Sequence, residues 1–274
     1  MTGTSQGAGP DAGPMGRARH QPPVGAADPI DFFDRISAGY GSRYQGQDRF
    51  HRYYFQERMN KAVDGLDLAD CNVLDIGSGT GDLYDQLITR FPSMQFLATD
   101  VSAGMLAHSN VPQAQQYIGP VYEHNLGPVR FHAIFMLGVT TYMGRDELEK
   151  NLDFIARHLH PDGRFIATFT NRSSLDSWMR SLAQHFVKPD PAGRNVLSSG
   201  LQIHKYTYPA IRAMLEPKFR IMRWDALNHT IFPFNRLLPG LSIRAARQLG
   251  RTQGVPGWLR FLSSDLMVHA TLRP

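Results

Sequence analysis

The amino-acid sequence predicts an α/β domain with a doubly wound, mostly parallel sheet. Three observations support this class: short apolar, β-branched runs alternate with helical patterns, a glycine-rich turn follows the first run, and proline or glycine turn signals separate the later elements. Strands and helices that alternate in this way form a parallel sheet covered by helices on both faces. The 274 residues are enough for one such domain with insertions.

The N-terminal part divides into a tail and a helical region. Residues 1–28 are rich in Gly, Ala and Pro and poor in large apolar residues, which predicts a disordered tail. Residues 29–65 carry apolar stripes at helical spacing, and we expect Gly39 and Gly41 to divide them into two helices. This region is expected to close over a ligand as a lid on the domain formed by residues 29–274.

The remaining elements follow from short apolar runs and turn signals. The fourth predicted strand is the most regular, whereas Gly119 and Pro120 interrupt the third, and Pro161-Asp-Gly163 predicts a turn before the fifth. Strands are predicted at 72–77, 95–99, 116–123, 131–137, 164–169, 219–224 and 266–272, and helices at 82–90, 145–159, 173–186, 208–215 and 241–249.

The turn after the first strand carries the main functional signal. It reads Asp75-Ile-Gly77-Ser-Gly79-Thr-Gly81, and glycines at these places let the backbone come close to a ligand. The next strand ends at Asp100, where a carboxylate can accept hydrogen bonds from both hydroxyls of a ribose. The pair predicts a ligand that contains adenosine.

Two classes of adenosine cofactor fit this pattern. The dinucleotide fingerprint places a third glycine where this chain has Asp82, and that carboxylate would repel a pyrophosphate at the helix N-terminus. A sulfonium and an ammonium group are better neighbours for Asp82 and Asp75. An NAD(P)-dependent oxidoreductase therefore stays as the weaker alternative.

The motifs resemble those of a known enzyme family. The glycine turn after an apolar strand is similar to motif I of the class I S-adenosylmethionine (SAM)-dependent methyltransferases, and the run from Phe96 through Asp100 to Leu106 resembles the motif that follows it. The run Gly79-Thr-Gly81-Asp82-Leu83 is similar to the ubiquinone/menaquinone methyltransferase branch. Together with the turn at Pro161, the resemblance covers roughly residues 31–169.

The resemblance implies both a topology and a cofactor site. It implies a Rossmann-like, seven-stranded sheet whose last strand is antiparallel and inserted beside the sixth. It also implies SAM as the cofactor, with the methionine part at the glycine turn and the ribose at the end of the second strand. The residues expected to hold it are Asp75, Gly77, Ser78, Gly79, Asp100, Val101, Asn125 and Leu137, with Tyr44 from the lid.

Methyl transfer from a sulfonium needs few catalytic side chains. The cofactor supplies the reactivity, and a base is needed only if the acceptor must lose a proton. By position, the candidates for such a base are His204, His229 and Tyr142. We expect no metal site, because His158 and His160 are the only closely spaced histidines and two such residues do not form a ligand set.

The C-terminal part carries the net charge of +5, since residues 232–274 contain six arginines and one acid, Asp265. We expect residues 170–218 and 226–265 to form insertions on the acceptor side. The segment 232–262 mixes arginines with large apolar residues. It is expected either to pack on the sheet with its arginines exposed, or to contact an anionic membrane or an acidic, lipid-linked acceptor. Nucleic acid is a poorer partner for this pattern.

The sequence thus predicts a bacterial-type methyltransferase acting on a small-molecule or a lipid- or sugar-linked acceptor, through O, N or C. A non-catalytic partner protein with this fold is the alternative from another class. The single cysteine, Cys71, offers no disulfide, so a cytoplasmic protein, with peripheral membrane contact as an addition, is expected. The sequence assigns no oligomeric state.

Overall fold

The computed structural model describes residues 28–45, 49–183, 201–231, 234–252 and 254–274. Within these residues, seven strands form one sheet in the order β3-β2-β1-β4-β5-β7-β6. β7 pairs antiparallel with β5 and β6, and all other pairs are parallel. The predicted fold class is confirmed, including the antiparallel last strand. The strands are β1 (Asn72–Ile76), β2 (Gln95–Asp100), β3 (Gln116–Ile118), β4 (Phe131–Met136), β5 (Leu159–Thr170), β6 (Phe219–Leu227) and β7 (Asp265–Leu272).

Helices pack on both faces of this sheet. Along β4, Ala133 and Phe135 join one buried core, whereas Ile134 and Met136 join the other, as the alternation of a strand buried on both faces requires. The described helices are α1 (Pro29–Gln45), α2 (Arg49–Val63), α3 (Asp82–Ile88), α4 (Ala103–Leu106), α5 (Arg145–His158), α6 (Leu175–Ala183), α7 (Tyr208–Leu215), α8 (Phe234–Leu237), α9 (Pro239–Leu249) and α10 (Gly257–Leu262).

Helix α1 corrects one predicted boundary. It continues through Gly39 and Gly41, where the sequence predicted a break, and α2 begins only at Arg49. A glycine inside a helix costs about 1 kcal/mol, which tertiary contacts can offset. Here Phe32 is buried in the core and Asp34 is hydrogen-bonded to the loop after β2. These contacts dock the N-terminal part of α1, before Gly39, onto the domain.

The third and fifth strands also differ from their predicted bounds. β3 stops at Ile118, because Gly119 has a φ of +119° and a 3-10 turn follows. β5 begins at Leu159 and includes the segment predicted as a turn, because the chain bulges out of register beside β4 there. At Gly163 a Cβ would lie 2.9 Å from two carbonyl oxygens, so the bulge requires glycine.

The carboxyl ends of the strands meet at one edge of the sheet, where the connecting segments lie. Strands β1 to β6 point their carboxyl ends to the same edge, and β7 starts there, since Asp265 pairs with Leu227. Residues 228–264, with α8, α9 and α10, therefore leave the sheet at this carboxyl edge and return to it. Helix α6 follows β5 at the same edge. No helix in the described ranges is long and apolar enough to span a bilayer.

Candidate functional site

The glycine turn lies at the carboxyl edge of the sheet between β1 and α3. Gly77, Gly79 and Gly81 all have φ between +58° and +79°, which an L side chain adopts at a cost. The backbone N–H groups of Gly77 and Ser78 both donate to the carbonyl of Thr99, at 2.8 and 3.0 Å. The turn is therefore fixed to the end of β2.

Asp100, at the end of β2, also holds this turn. One carboxylate oxygen accepts from the backbone N–H of Gly79 at 2.8 Å, and the other accepts from that of Ser102 at 2.8 Å. Burial raises the pKa of Asp100, and these backbone donors oppose that rise. Because a carboxylate oxygen has two lone pairs, each oxygen keeps one acceptor position for a ribose hydroxyl.

Asp75 is a second carboxylate of the turn, and it is fully buried at the end of β1. Burial raises its pKa to about 7, against the opposing effect of the Ser78 hydroxyl, and the carboxylates of Asp100 and Asp82 add to the rise. The Ser78 hydroxyl is buried beside this carboxylate. A cation placed here would favour the ionised form of Asp75.

Asp82 occupies the first turn of α3 and disfavours a pyrophosphate. Its carboxylate accepts from the hydroxyl of Thr80 at 2.7 Å, and burial raises its pKa. A dinucleotide would bring its phosphates to this helix N-terminus and meet a carboxylate in place of a glycine. The local chemistry therefore agrees with a cationic ligand better than with a dinucleotide.

The segment after β4 lies on the other side of β1 from Asp100. Leu137 is buried, Gly138 has a φ of +77°, and the guanidinium of Arg58 from α2 occupies the space where a Cβ of Gly138 would lie. Arg58 also stacks over the ring of Tyr54 at 4.4 Å, and its Nε is buried without a partner in the described residues. A cationic group with an unpaired Nε–H donor thus lies at the end of β4.

Helix α1 contacts the loops on both sides of the glycine turn. The carboxylate of Asp34 accepts from Ser102 Oγ at 2.6 Å and from Gly104 N at 2.8 Å, in the loop after β2. The ring of Phe33 packs edge-on against Tyr142, after β4, with centroids 5.0 Å apart. Since β1 lies between β2 and β4 in the sheet, α1 crosses the carboxyl end of β1.

A buried carboxylate, missed by the sequence analysis, lies beside Arg58. Asp265 accepts from the hydroxyl of Tyr54 at 2.6 Å and from that of Thr170 at 3.1 Å. Burial raises its pKa, and the charge of Arg58 lowers it. The available signal was that Asp265 is the only acid in the basic segment 232–274.

Glu57 connects α2 to the end of β6 in a similar way. Its carboxylate accepts from Asn228 N at 2.9 Å and from the hydroxyl of Tyr53 at 3.0 Å. Burial raises the pKa of Glu57 despite these donors. Helix α2 therefore lies across the carboxyl edge, from Gly138 to Asn228.

The three predicted acid–base residues all lie near this edge. Thr141, after β4, accepts the backbone N–H of His204 at 2.8 Å, which brings His204 close to Tyr142. His229 follows β6 and is 4% exposed, with neither ring nitrogen hydrogen-bonded to a described residue. Burial, followed by the charge of Lys61, lowers the pKa of His229 to about 4, so its imidazole is neutral at pH 7.

The remaining predicted cofactor residues fall in three places. Val101 is half-buried directly after Asp100, beside the glycine turn. Asn125 is exposed, and its side chain accepts from the backbone N–H of Gly127 at 3.0 Å, so it closes its own turn. Tyr44 lies in α1, but its side chain is outside the described residues. No group of three or more metal-binding side chains occurs in the described ranges.

Comparison with known proteins identifies the fold. Residues 74–165 match a family model described as a methyltransferase domain. A SAM-dependent methyltransferase from Thermotoga maritima aligns at 14% identity with a TM-score of 0.60, covering 88% of this chain and 98% of that chain. Magnesium protoporphyrin IX methyltransferase from Synechocystis PCC 6803, with bound SAH, aligns at 15% identity, TM-score 0.58, 90% and 100% coverage.

A third structure is the N-methyltransferase NodS from Bradyrhizobium japonicum WM9, in complex with S-adenosyl-L-homocysteine. It aligns at 11% identity with a TM-score of 0.56, covering 89% of this chain and 98% of that chain. These similarities show that the chain has the Rossmann-like methyltransferase fold.

Proposed function

We propose that the protein transfers a methyl group from SAM to a small-molecule or a lipid- or sugar-linked acceptor. The observation that carries this proposal is Asp100, whose two oxygens brace the glycine turn and keep lone pairs for a ribose diol. The methyltransferase domain match over residues 74–165 supports the same assignment. We assign neither the methylated atom nor the branch of methyltransferases.

The residues of the turn and of α2 fit the two ends of the cofactor. Val101 would contact the adenine next to the ribose at Asp100, and Leu137 would lie under the cofactor. Asp75 would face the ammonium of the methionine part. Arg58 would pair with the carboxylate of the methionine part, because its guanidinium lies at Gly138. When bound, SAM supplies an activated methyl group, and the chain aligns it in an enclosed site.

The acceptor would lie beyond Gly138, toward β5 and β7. His204 and Tyr142 remain candidates for the group that takes a proton from an O–H or N–H acceptor. His229 is a weaker base, since its pKa of about 4 lies far below neutrality. The Tyr54–Asp265 pair adds a fourth candidate, in which Tyr54 would take a proton from the acceptor while its own hydroxyl proton moves to Asp265.

The direct test of this function uses SAM labelled in its methyl group. The purified chain is incubated with it and a fractionated cell extract, and the label is followed into organic-phase lipids and aqueous metabolites. Calorimetric titration with SAM and with NADH accompanies this assay. Binding of NADH but not of SAM would replace the proposal by the oxidoreductase, and binding of neither would favour a non-catalytic partner.

The affinity for SAM is expected to depend on pH through Asp75. Its pKa of about 7 in the free protein should fall when an ammonium binds, so binding requires the ionised carboxylate. Each pH unit below about 7 should then weaken binding roughly tenfold. Calorimetry across this range tests the expectation, and Asp75→Asn should bind more weakly with a flatter profile. A wild-type affinity that does not change with pH would contradict the role of Asp75.

The proposed lid function of α1 rests on Asp34. Replacing Asp34 with alanine removes two hydrogen bonds to a carboxylate, so hydrogen exchange of the α1 backbone amides should accelerate by about a hundredfold. Asp31→Ala is the matched control, because Asp31 is exposed in the first turn of the same helix. SAM should slow α1 exchange in the wild type. Equal acceleration in both variants would contradict the anchoring role of Asp34.

A further inference from the structure

The carboxyl edge carries a group of large apolar side chains that are exposed. The residues of α8, the α8–α9 junction and α9 are 54–69% exposed, and those of α10 and α6 are 46–59% exposed. We call this group the edge surface. Its members are Phe234, Leu237, Leu238, Leu241, Trp258, Phe261, Trp178 and Leu182.

The helices of the edge surface are fixed to the same end of the molecule. The side-chain amide of Asn171, after β5, donates to the carbonyls of Arg260 at 2.7 Å and Ser263 at 2.9 Å, which ties α10 to the start of α6. In α9, Ile243 and Ala246 are buried, so Leu241 and Arg244 project from the opposite side. These apolar residues are thus presented outward by packed helices.

The helices that carry the edge surface are strongly basic. The described residues 234–252 and 254–262 contain five arginines and no acid, and Arg244, Arg247 and Arg251 are exposed. The one acid of α6, Asp176, is 5% exposed and bound by Arg180 at 2.6 Å. No exposed carboxylate therefore lies on α6, α8, α9 or α10 within the described chain.

Exposed Trp, Phe and Leu combined with arginines complement an anionic amphiphile, whose acyl region takes the apolar side chains while its phosphates pair with guanidinium groups. We infer that the edge surface docks on an anionic phospholipid bilayer. The inference does not depend on the cofactor, although docking would bring the acceptor side of the proposed site to the lipid headgroups. A lipid-linked acceptor could then enter the proposed site while its lipid part stays in the bilayer.

The inference is tested by flotation of the full chain with vesicles of phosphatidylcholine, with or without phosphatidylglycerol. The wild type should float with the anionic vesicles only, and added salt should weaken the association. Bilayers that contain brominated phosphatidylglycerol should quench the emission of Trp178 and Trp258, since both belong to the edge surface.

Two double variants separate the charged from the apolar contribution. Arg244→Gln with Arg251→Gln should weaken binding to anionic vesicles by about thirtyfold, because each basic residue near the surface contributes about fivefold. Leu237→Gln with Leu241→Gln should weaken it by about tenfold or more. The matched control is Arg220→Gln with Met222→Gln, which removes an exposed arginine and an exposed apolar side chain from the opposite end of β6.

Three results would overturn the inference. The wild type would fail to float with anionic vesicles, or the control on β6 would lose as much binding as the edge variants. In the third case, the wild type would elute as an oligomer in size-exclusion chromatography and the Leu237→Gln, Leu241→Gln variant as a monomer. A second copy of the chain would then cover the surface. SAM affinity, measured on the same proteins, distinguishes a failure here from a failure of the proposed methyl transfer.

Discussion

Replacing Asp100 with alanine is expected to weaken the binding of SAM by about a hundredfold or more. The carboxylate would lose two hydrogen bonds to the ribose diol, and a hydrogen bond to a charged group contributes about 1.5–3 kcal/mol. The variant also loses the bonds to Gly79 N and Ser102 N, so the turn is less well held. Isothermal titration calorimetry with SAM and with S-adenosylhomocysteine measures the effect.

The control for Asp100 must separate ribose recognition from damage to the turn. Asp85→Ala removes an exposed carboxylate of α3 that bonds to the amide of Asn110, and it should leave the affinity unchanged. A 2′-deoxy analogue of S-adenosylhomocysteine should bind the wild type much more weakly than the parent compound, and the Asp100→Ala protein nearly equally. If the variant keeps wild-type affinity for SAM, the proposed site is wrong.

The second large effect is expected on stability, from Gly77→Ala. A φ of +72° costs an L residue roughly 1–2 kcal/mol, and the new Cβ would overlap the side chain of Val139, which adds about 1–3 kcal/mol. We therefore expect the free energy of unfolding to fall by about 3 kcal/mol. Urea denaturation, followed by circular dichroism, measures this change.

Gly65→Ala provides the matched comparison for Gly77. Its φ is +73°, but no atom lies within 4 Å of the Cβ position, so the loss should be only that of the backbone, about 1–2 kcal/mol. Adding Val139→Ala to Gly77→Ala should recover part of the difference. Equal losses at Gly65 and Gly77 would show that the contact with Val139 is unimportant.

The sequence predicted what is encoded locally. The strand β4, the helix α7 and the glycine turn follow from short patterns whose meaning does not depend on distant residues. The breaks predicted at Gly39 and at Pro161 were wrong, because at these positions the structure depends on residues that are distant in the sequence. In both places a tertiary contact, the docking of α1 and the bulge beside β4, overrides the local preference.

The site was predictable only in part, for the same reason. Asp75 and Asp100 belong to two consecutive sequence motifs on neighbouring strands, and the structure places both at the glycine turn. The contact between Tyr54 and Asp265 joins positions 211 residues apart, and that between Asp34 and Ser102 spans 68. No periodicity within a helix or strand indicates which distant side chain will meet another, so these pairs appear only once the sheet is assembled.

The antiparallel pairing of β7 with β6 allows the segment between these two strands to be replaced without rearranging the sheet. Because Asp265 pairs with Leu227, the insertion of residues 228–264 begins and ends at the same residue pair of the β6–β7 ladder. Such an insertion can be exchanged for another while strands β1 to β4, which carry the proposed cofactor site, keep their architecture. A change of acceptor would then require a new insertion at this edge and no change in the proposed cofactor site.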